Sequence, residues 1–550
     1  MMRFCGKEFV LYPKKLTRSV VSNPDYPVVQ TTQGKVRGLL EEGVFIFRGV
    51  PFAQVKRFAM PEKVTPWEGT RRCNVYGPVC KEIHTPIAHD EYNVPHFHYS
   101  QDEDCLNLNI WTKHINEDVR KPVMVWFHGG GHATGSSIEL YAYDGMELAD
   151  FGDVVVVSVN HRLNCIGYLD LSEYGEKYRY SGNLGTADLV ASLQWVHDNI
   201  AGFGGDPDNV TIFGQSGGGQ KVATMLQTPA ADGLYHKAII QSGLLEARPD
   251  NSQESAREMA RLTVEHLGLT KENIEKIETV PYYVLARAAQ QAAADLGTPI
   301  GTMINWGPVL DYDYFLGIAN GIPFREETKH IPMLVGNVLG EFDQNFNCIY
   351  AEGSKNDWDD EKVDTLIKQL YGTQADAVRK GFAKAYPDKK IVDCLYTSRI
   401  WRQGHKDYCN KRAAQGCAPV YNWMFSLELP MNGGTVAWHN ADEAYMFHNA
   451  NYLEAEYIPG VSEELQDIMT GAWVAFAYTG DPNHPGMAPW PPVKDGNGAC
   501  MIFDRRVYAA YHHDDDLMAA LDPELLPPKE ITIPIEEGAG TFGGGPRQSL

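Results

Sequence analysis

Several stretches of the chain are apolar almost without interruption and then run into turn-forming residues. They are KPVMVWFHGGG (121–131), DVVVVSVNHR (153–162), NVTIFGQSGGG (209–219), HKAIIQSG (236–243) and IPMLVGNV (331–338). A strand with one face in water alternates apolar and polar positions. Unbroken runs of this length fit strands of a sheet covered on both faces. Between them the period changes: GTADLVASLQWVHDNIAGF (185–203) carries apolar residues at helical spacing. Strand alternating with helix predicts a doubly wound α/β fold, a mostly parallel central sheet with helices on both faces.

The N-terminal third reads differently. VVQTTQGKVRGLLEEGVFIFRGVPFA (28–53) predicts hairpins that extend the sheet with antiparallel strands. Residues around 252–300 and 355–415 are helix-rich. They belong to predicted insertions, about 250–330 and 355–425, that cover one end of the sheet where an active site would lie. No linker rich in Pro, Gly or Ser divides the chain, so 1–550 is read as a single domain, and the glycine-rich end, about 536–550, as a disordered tail.

Charge and composition narrow the function classes. A formal net charge of −23 argues against nucleic acid and anionic membranes as partners and favours neutral or cationic ligands. The start, MMRFCGKEFVLYPKKLTRSVV, has no apolar run long enough for a signal peptide, because FVLY is broken by Pro13, Lys14 and Lys15. No stretch of about 18 apolar residues occurs. Ten cysteines scattered through a long chain look like intracellular thiols, so the expectation is a cytoplasmic protein.

The candidate chemistry sits at the ends of two of these strands. Gly214, Ser216 and Gly218 fit G-x-S-x-G. Alone, that motif also fits an ordinary glycine-rich turn. Here VTIF precedes it and QKVATMLQT can form the helix after it, the strand–turn–helix context that lifts a serine clear of the sheet. A serine needs a base to take its proton and donors for the oxyanion it creates. HGGG (128–131), directly after PVMVWF, offers glycine N–H groups at a neighbouring strand end. The two motifs together predict acyl transfer.

At this point the chain resembles the type B carboxylesterases, a family that includes cholinesterases and bacterial p-nitrobenzyl esterases. EDCLNLNIW (103–111) is similar to the family's second signature and FGGDPDNVTIFGQSGGG (203–219) to its serine signature. GKVRG, FRGVPFA, NHRLNCIGYL (160–169), GNLGTADL (182–189), TGDPN (479–483), WPPV and MIFD also fit. The resemblance implies an α/β-hydrolase fold and a triad of Ser216, Glu341 and His439, with the backbone N–H groups of Gly130, Gly131 and Gly217 as the oxyanion hole. Asp343 is the rival acid and His448 the rival base. The implied activity is hydrolysis of small to medium neutral carboxylic esters through an acyl-enzyme, with a small-molecule ester as partner and neither cofactor nor metal. A non-catalytic adhesion or interaction relative, and an amidase or lipase using the same triad, are the alternatives.

The chain also departs from the family. Glu-Ser-Ala is usual where this sequence has Gln215-Ser216-Gly217. Glycine keeps the N–H donor, and a looser backbone with some loss of preorganisation is expected from it. Glutamine removes a negative charge that helps cholinesterases with cationic substrates, which argues against choline esters. Phe342 replaces the glycine after the acid, with no evident reason in the sequence. Cys80 and Cys105 stand where the family has its first disulfide, and in a reducing compartment they would remain thiols. The loop between them carries His84, His89, His96 and His98, whose spacing matches no standard metal-ligand set, so they are read as rim residues.

Overall fold

The computed structural model describes residues 19–83, 94–244, 252–298, 300, 303–317, 324–342 and 354–527, with the backbone of a short hairpin at Met2–Phe4 and Lys7–Phe9. Among the described residues, 12 strands form one sheet. In chain order they are β1 (Val20–Val21), β2 (Leu39–Glu41), β3 (Val44–Pro51), β4 (Asn107–Thr112), β5 (Lys121–Phe127) and β6 (Val155–Val159). They continue as β7 (Gly205–Gln215), β8 (Lys237–Gln241), β9 (Met333–Val338), β10 (Val420–Phe425), β11 (Ala499–Phe503) and β12 (Tyr508–Tyr511). Across the sheet the order is β12-β11-β10-β9-β8-β7-β5-β6-β4-β3-β2-β1. The stretch from β11 to β6 is parallel, and antiparallel strands close both edges.

The apolar runs are explained by burial on both faces. In β5, Val123, Val125 and Phe127 point into one core while Met124 and Trp126 point into the other. β6 repeats this with Val155, Val157 and Val159 against Val156. Each apolar side chain on such a strand contributes roughly 1.5–3 kcal/mol by leaving water. The helix α1 (Leu184–Asn199) covers one face between β6 and β7, and α2 (Gly217–Met225) connects β7 to β8. Helices α3 (Gln253–His266) and α4 (Tyr282–Asp295) lie within the first expected insertion. Helices α5 (Asp360–Tyr371), α6 (Ala375–Ala385) and α7 (Arg402–Ala414) lie within the second.

Some boundaries differ from the sequence reading. Val28–Gln30 and Lys35–Arg37 leave the main sheet: they pair with each other, and Lys35–Arg37 also pairs with Thr70–Arg72, so only the later half of 28–53 extends the main sheet. The helical stretch expected over about 355–425 stops short, because Val420–Phe425 is a central parallel strand. The tail at 536–550 lies outside the described residues. Among the described residues no helix is long and apolar enough to cross a membrane.

Candidate active site

Register places the two glycine motifs side by side. Phe127 at the end of β5 pairs with Gly214 near the end of β7, so HGGG and the turn around Ser216 leave the sheet together at its C-terminal edge. The chain reverses at Ser216, which holds φ 56° and ψ −123°. A non-glycine residue in that region costs about 1–3 kcal/mol and needs support around it. Support comes from backbone: Ser216 N–H donates to the Gln241 carbonyl at 2.9 Å, and its carbonyl accepts from Gln220 N–H at 3.0 Å. A Cβ on Gly218 would lie 1.9 Å from the Phe127 carbonyl oxygen, which explains why no side chain is present there. Ser216 itself is half-buried between buried neighbours, Gln215 and Gly217.

Gly130 and Gly131 take φ of 77° and 61°, and the turn closes with Thr134 N–H donating to the Gly130 carbonyl at 3.1 Å. Gly217 meets this turn directly: a Cβ there would stand 2.4 Å from Gly131 N and 2.3 Å from Gly131 O. The space beside Gly217 is therefore occupied rather than open. The missing methyl is replaced by the backbone of Gly131, and the two segments pack against each other.

β9 ends at Val338, and Glu341 follows in a turn with φ 46°, fully buried. Its Oε2 lies 2.5 Å from His439 Nδ1. Its Oε1 accepts from Ser242 Oγ at 2.8 Å and from Val338 N–H at 3.1 Å, and a backbone bridge joins Glu341 to Trp438. Gln215 Nε2 donates to the His439 carbonyl at 2.5 Å, tying the histidine's loop to the residue before the serine. The structure thus brings Ser216, Glu341, His439, Gly130, Gly131 and Gly217 to one edge of the sheet. His448 is elsewhere, its Nε2 2.7 Å from Asp467 and its ring stacked on Phe151. Asp343 lies outside the described residues.

Side chains to which the sequence reading gave no role complete the surroundings. Ser242, at the end of β8 with φ 43°, orients the acid; its only sequence signal was a polar residue at the end of a predicted strand. Phe342 now has a structural context: its ring centroid lies 3.9 Å from that of His439. Trp401, just before α7, stacks on the same imidazole at 5.0 Å and 19°. Beneath the histidine, Asp442 accepts from Gln241 Nε2 at 3.1 Å, and burial followed by the Glu341 charge pushes its pKa up to about 7. Burial, reinforced by neighbouring carboxylates, also lifts Glu443 and Glu456 well above the usual carboxylate range.

Cys80 and Cys105 are buried free thiols, and the hydrogen bond between them, with burial second, pushes Cys105 well above the ordinary thiol range. His96 Nδ1 sits 3.8 Å from Glu139, while His84 and His89 lie outside the described residues. Among the described residues no group of three or more His, Cys, Asp or Glu is placed to hold a metal.

A family model for carboxylesterases matches residues 25–516. This chain belongs to the carboxylesterase family. Para-nitrobenzyl esterase of Bacillus subtilis is 30% identical over 491 residues, covering 88% of this carboxylesterase and 96% of that enzyme. Phenmedipham hydrolase of Pseudarthrobacter oxydans is 29% identical, covering 86% and 94%. Among solved structures, an esterase from anaerobic Clostridium hathewayi, described as able to hydrolyse aliphatic aromatic polyesters, is 42% identical. Its TM-score is 0.85, over 91% of this chain and 99% of that one. The family and these relatives make the carboxylesterase a carboxylic ester hydrolase with the α/β-hydrolase fold.

Proposed function

We propose that this carboxylesterase hydrolyses small to medium neutral esters through an acyl-enzyme on Ser216. His439 takes the Ser216 proton as the hydroxyl attacks the ester carbonyl. Glu341, bonded to Nδ1, fixes the tautomer that presents Nε2 as the base and stabilises the imidazolium as it forms. The N–H groups of Gly130, Gly131 and Gly217 receive the oxyanion. The alcohol leaves with the proton from His439, and water activated by the same imidazole releases the acid.

The observation that carries this reading is the 2.5 Å contact between His439 Nδ1 and Glu341 Oε2, beside a serine held in a strained strand-to-helix turn. It disfavours the non-catalytic alternative, for which a buried, oriented His–Glu pair has no use. On substrate, Phe342 and Trp401 wall the imidazole with aromatic surface, which favours an ester carrying a ring near the scissile bond. The polyester activity described for the Clostridium hathewayi relative agrees with that preference. Gln215 supplies no charge to attract a choline head group.

The test is a p-nitrophenyl ester series from acetate to laurate, with benzoate, run on wild type and His439→Ala. Loss of the base is expected to lower kcat by about 10⁴-fold or more while the fold persists. Hydrolysis near the wild-type rate in that variant overturns the assignment, and greater activity on emulsified long-chain esters would favour a lipase.

A further inference from the structure

Lys221 is a buried ionisable group that this mechanism leaves unused. It lies on α2 and is fully buried. Its Nζ donates to the carbonyl oxygen of His128 at 2.8 Å and reaches that of Gly129 at 3.4 Å. Among the described residues it has no ion pair. Taking an ammonium out of water without a carboxylate partner carries a large desolvation penalty. A methionine or leucine would fill a position on this buried helix face without it.

The surroundings offer the charge little compensation. His128 and His161 are buried with ring centroids 5.3 Å apart, and His132 is buried nearby. Burial first, and then the Lys221 charge, hold His128 and His161 well below the usual imidazole range, so they remain neutral. Burial lowers Lys221 itself to about 7, opposed by Glu139 and Cys80. Below that pH Lys221 is an ammonium, and its hydrogen bonds go to the carbonyls it touches.

Those carbonyls belong to the HGGG turn. The Gly129 carbonyl is one end of the peptide group whose other end is the Gly130 N–H, a proposed oxyanion donor. It accepts from His128 Nδ1 at 2.9 Å as well as facing Lys221. Donors at a carbonyl draw electron density toward it and strengthen the N–H across the same peptide as a donor. A cation does so more strongly than a neutral group. The same contact fastens the turn to the helix that begins at Gly217, whose missing Cβ lets Gly131 approach.

We propose that Lys221 is a positioning residue for the oxyanion hole. Its ammonium ties the His128 and Gly129 carbonyls to the nucleophile helix and polarises the Gly129–Gly130 peptide toward the negative charge of the tetrahedral intermediate. This inference rests on the proposed role of Gly130, Gly131 and Gly217.

The test compares wild type with Lys221→Met, which keeps the stem and removes the cation, and Lys221→Gln, which keeps a neutral donor. Melting temperature, kcat and KM on p-nitrophenyl butyrate are measured. Alongside them goes the affinity of an aliphatic trifluoromethyl ketone, which places an oxyanion in the hole, against its unfluorinated ketone. Lys221→Met is expected to lower kcat by about 10–100-fold, part of the cost of losing a whole donor, with KM nearly unchanged. Trifluoromethyl ketone affinity should fall by the same factor while the plain ketone binds as before, and Lys221→Gln should lie between. Wild-type kcat and inhibitor affinity in Lys221→Met overturn the proposal, as does equal weakening of both ketones. Failure of both variants to fold would assign Lys221 to stability and also overturn it. Absence of an adduct between wild type and the trifluoromethyl ketone would instead remove the proposed oxyanion hole on which it rests.

Discussion

Adding one methyl group to Gly217 restores the residue usual in the family, and the structure says it should damage the enzyme. The new Cβ would stand 2.3 Å from Gly131 O and 2.4 Å from both Gly131 N and Gly131 Cα. Carbon makes comfortable contact at about 3.5–4.0 Å, so the HGGG turn must retreat by roughly 1 Å. Backbone conformation does not oppose alanine: Gly217 lies outside the left-handed region, and helix propensity favours Ala by about 1 kcal/mol. The cost therefore falls on the alignment of Gly131 with Gly217. A misplacement of about 1 Å can cost ~10²-fold in rate, or about 2.7 kcal/mol of transition-state stabilisation. Gly217→Ala is expected to lose that factor in kcat on p-nitrophenyl butyrate, with KM within about threefold and a melting temperature lowered by only a few degrees, since overpacking of about 1–3 kcal/mol is partly offset by helix propensity. Wild-type kcat in a well-folded Gly217→Ala protein would refute the reasoning, because it would mean that the packing of Gly131 on Gly217 does not set the donors.

Ser242→Ala removes a hydrogen bond to the Glu341 carboxylate, and a bond to a charged group is worth about 1.5–3 kcal/mol. The expected result is a kcat reduced roughly 10- to 100-fold, with Ser242→Thr retaining more activity. Asp442 is held protonated by burial, so its folded pKa of about 7 lies above its ordinary 3.8, and its stabilisation, full at low pH, is lost as pH rises toward 7. Asp442→Asn removes that loss: the melting temperature of the variant relative to wild type should climb between pH 4 and 7 and then level off. At about 1.4 kcal/mol per pH unit the gain is at most ~4 kcal/mol, and a difference independent of pH would count against it. Phe342→Gly should lower kcat/KM for p-nitrophenyl benzoate more than for the acetate; equal losses would show that the ring does not select substrate.

The periodicity of the chain made the parallel half of the sheet legible. Runs such as PVMVWF and VTIF are buried on both faces, and that constraint leaves an unbroken apolar signature. β10 was hidden because VYNWMF follows a helical segment and resembles a continuation of it. The pairing of Lys35–Arg37 with Thr70–Arg72 is non-local and leaves no mark in either segment. At the site, Ser216, Glu341 and His439 were visible through motif spacing. The roles of Ser242, Phe342, Trp401 and Lys221 were not, since each matters through a neighbour far along the chain. Trp401 reaches His439 from before α7, and Lys221 touches a turn that precedes it by some ninety residues. The packing at Gly217 was hidden for a related reason: a glycine's freedom can be read from sequence, but the backbone occupying the space beside it cannot.

The central claim, that Ser216 is a nucleophile activated by His439, is tested most directly by locating the adduct of a fluorophosphonate probe by peptide mass spectrometry. Stoichiometric modification of Ser216 is expected in wild type, none in Ser216→Ala, and labelling slowed by orders of magnitude in folded His439→Ala. An unmodified Ser216 under conditions that label other serine esterases, or equal labelling rates with and without His439, would contradict it.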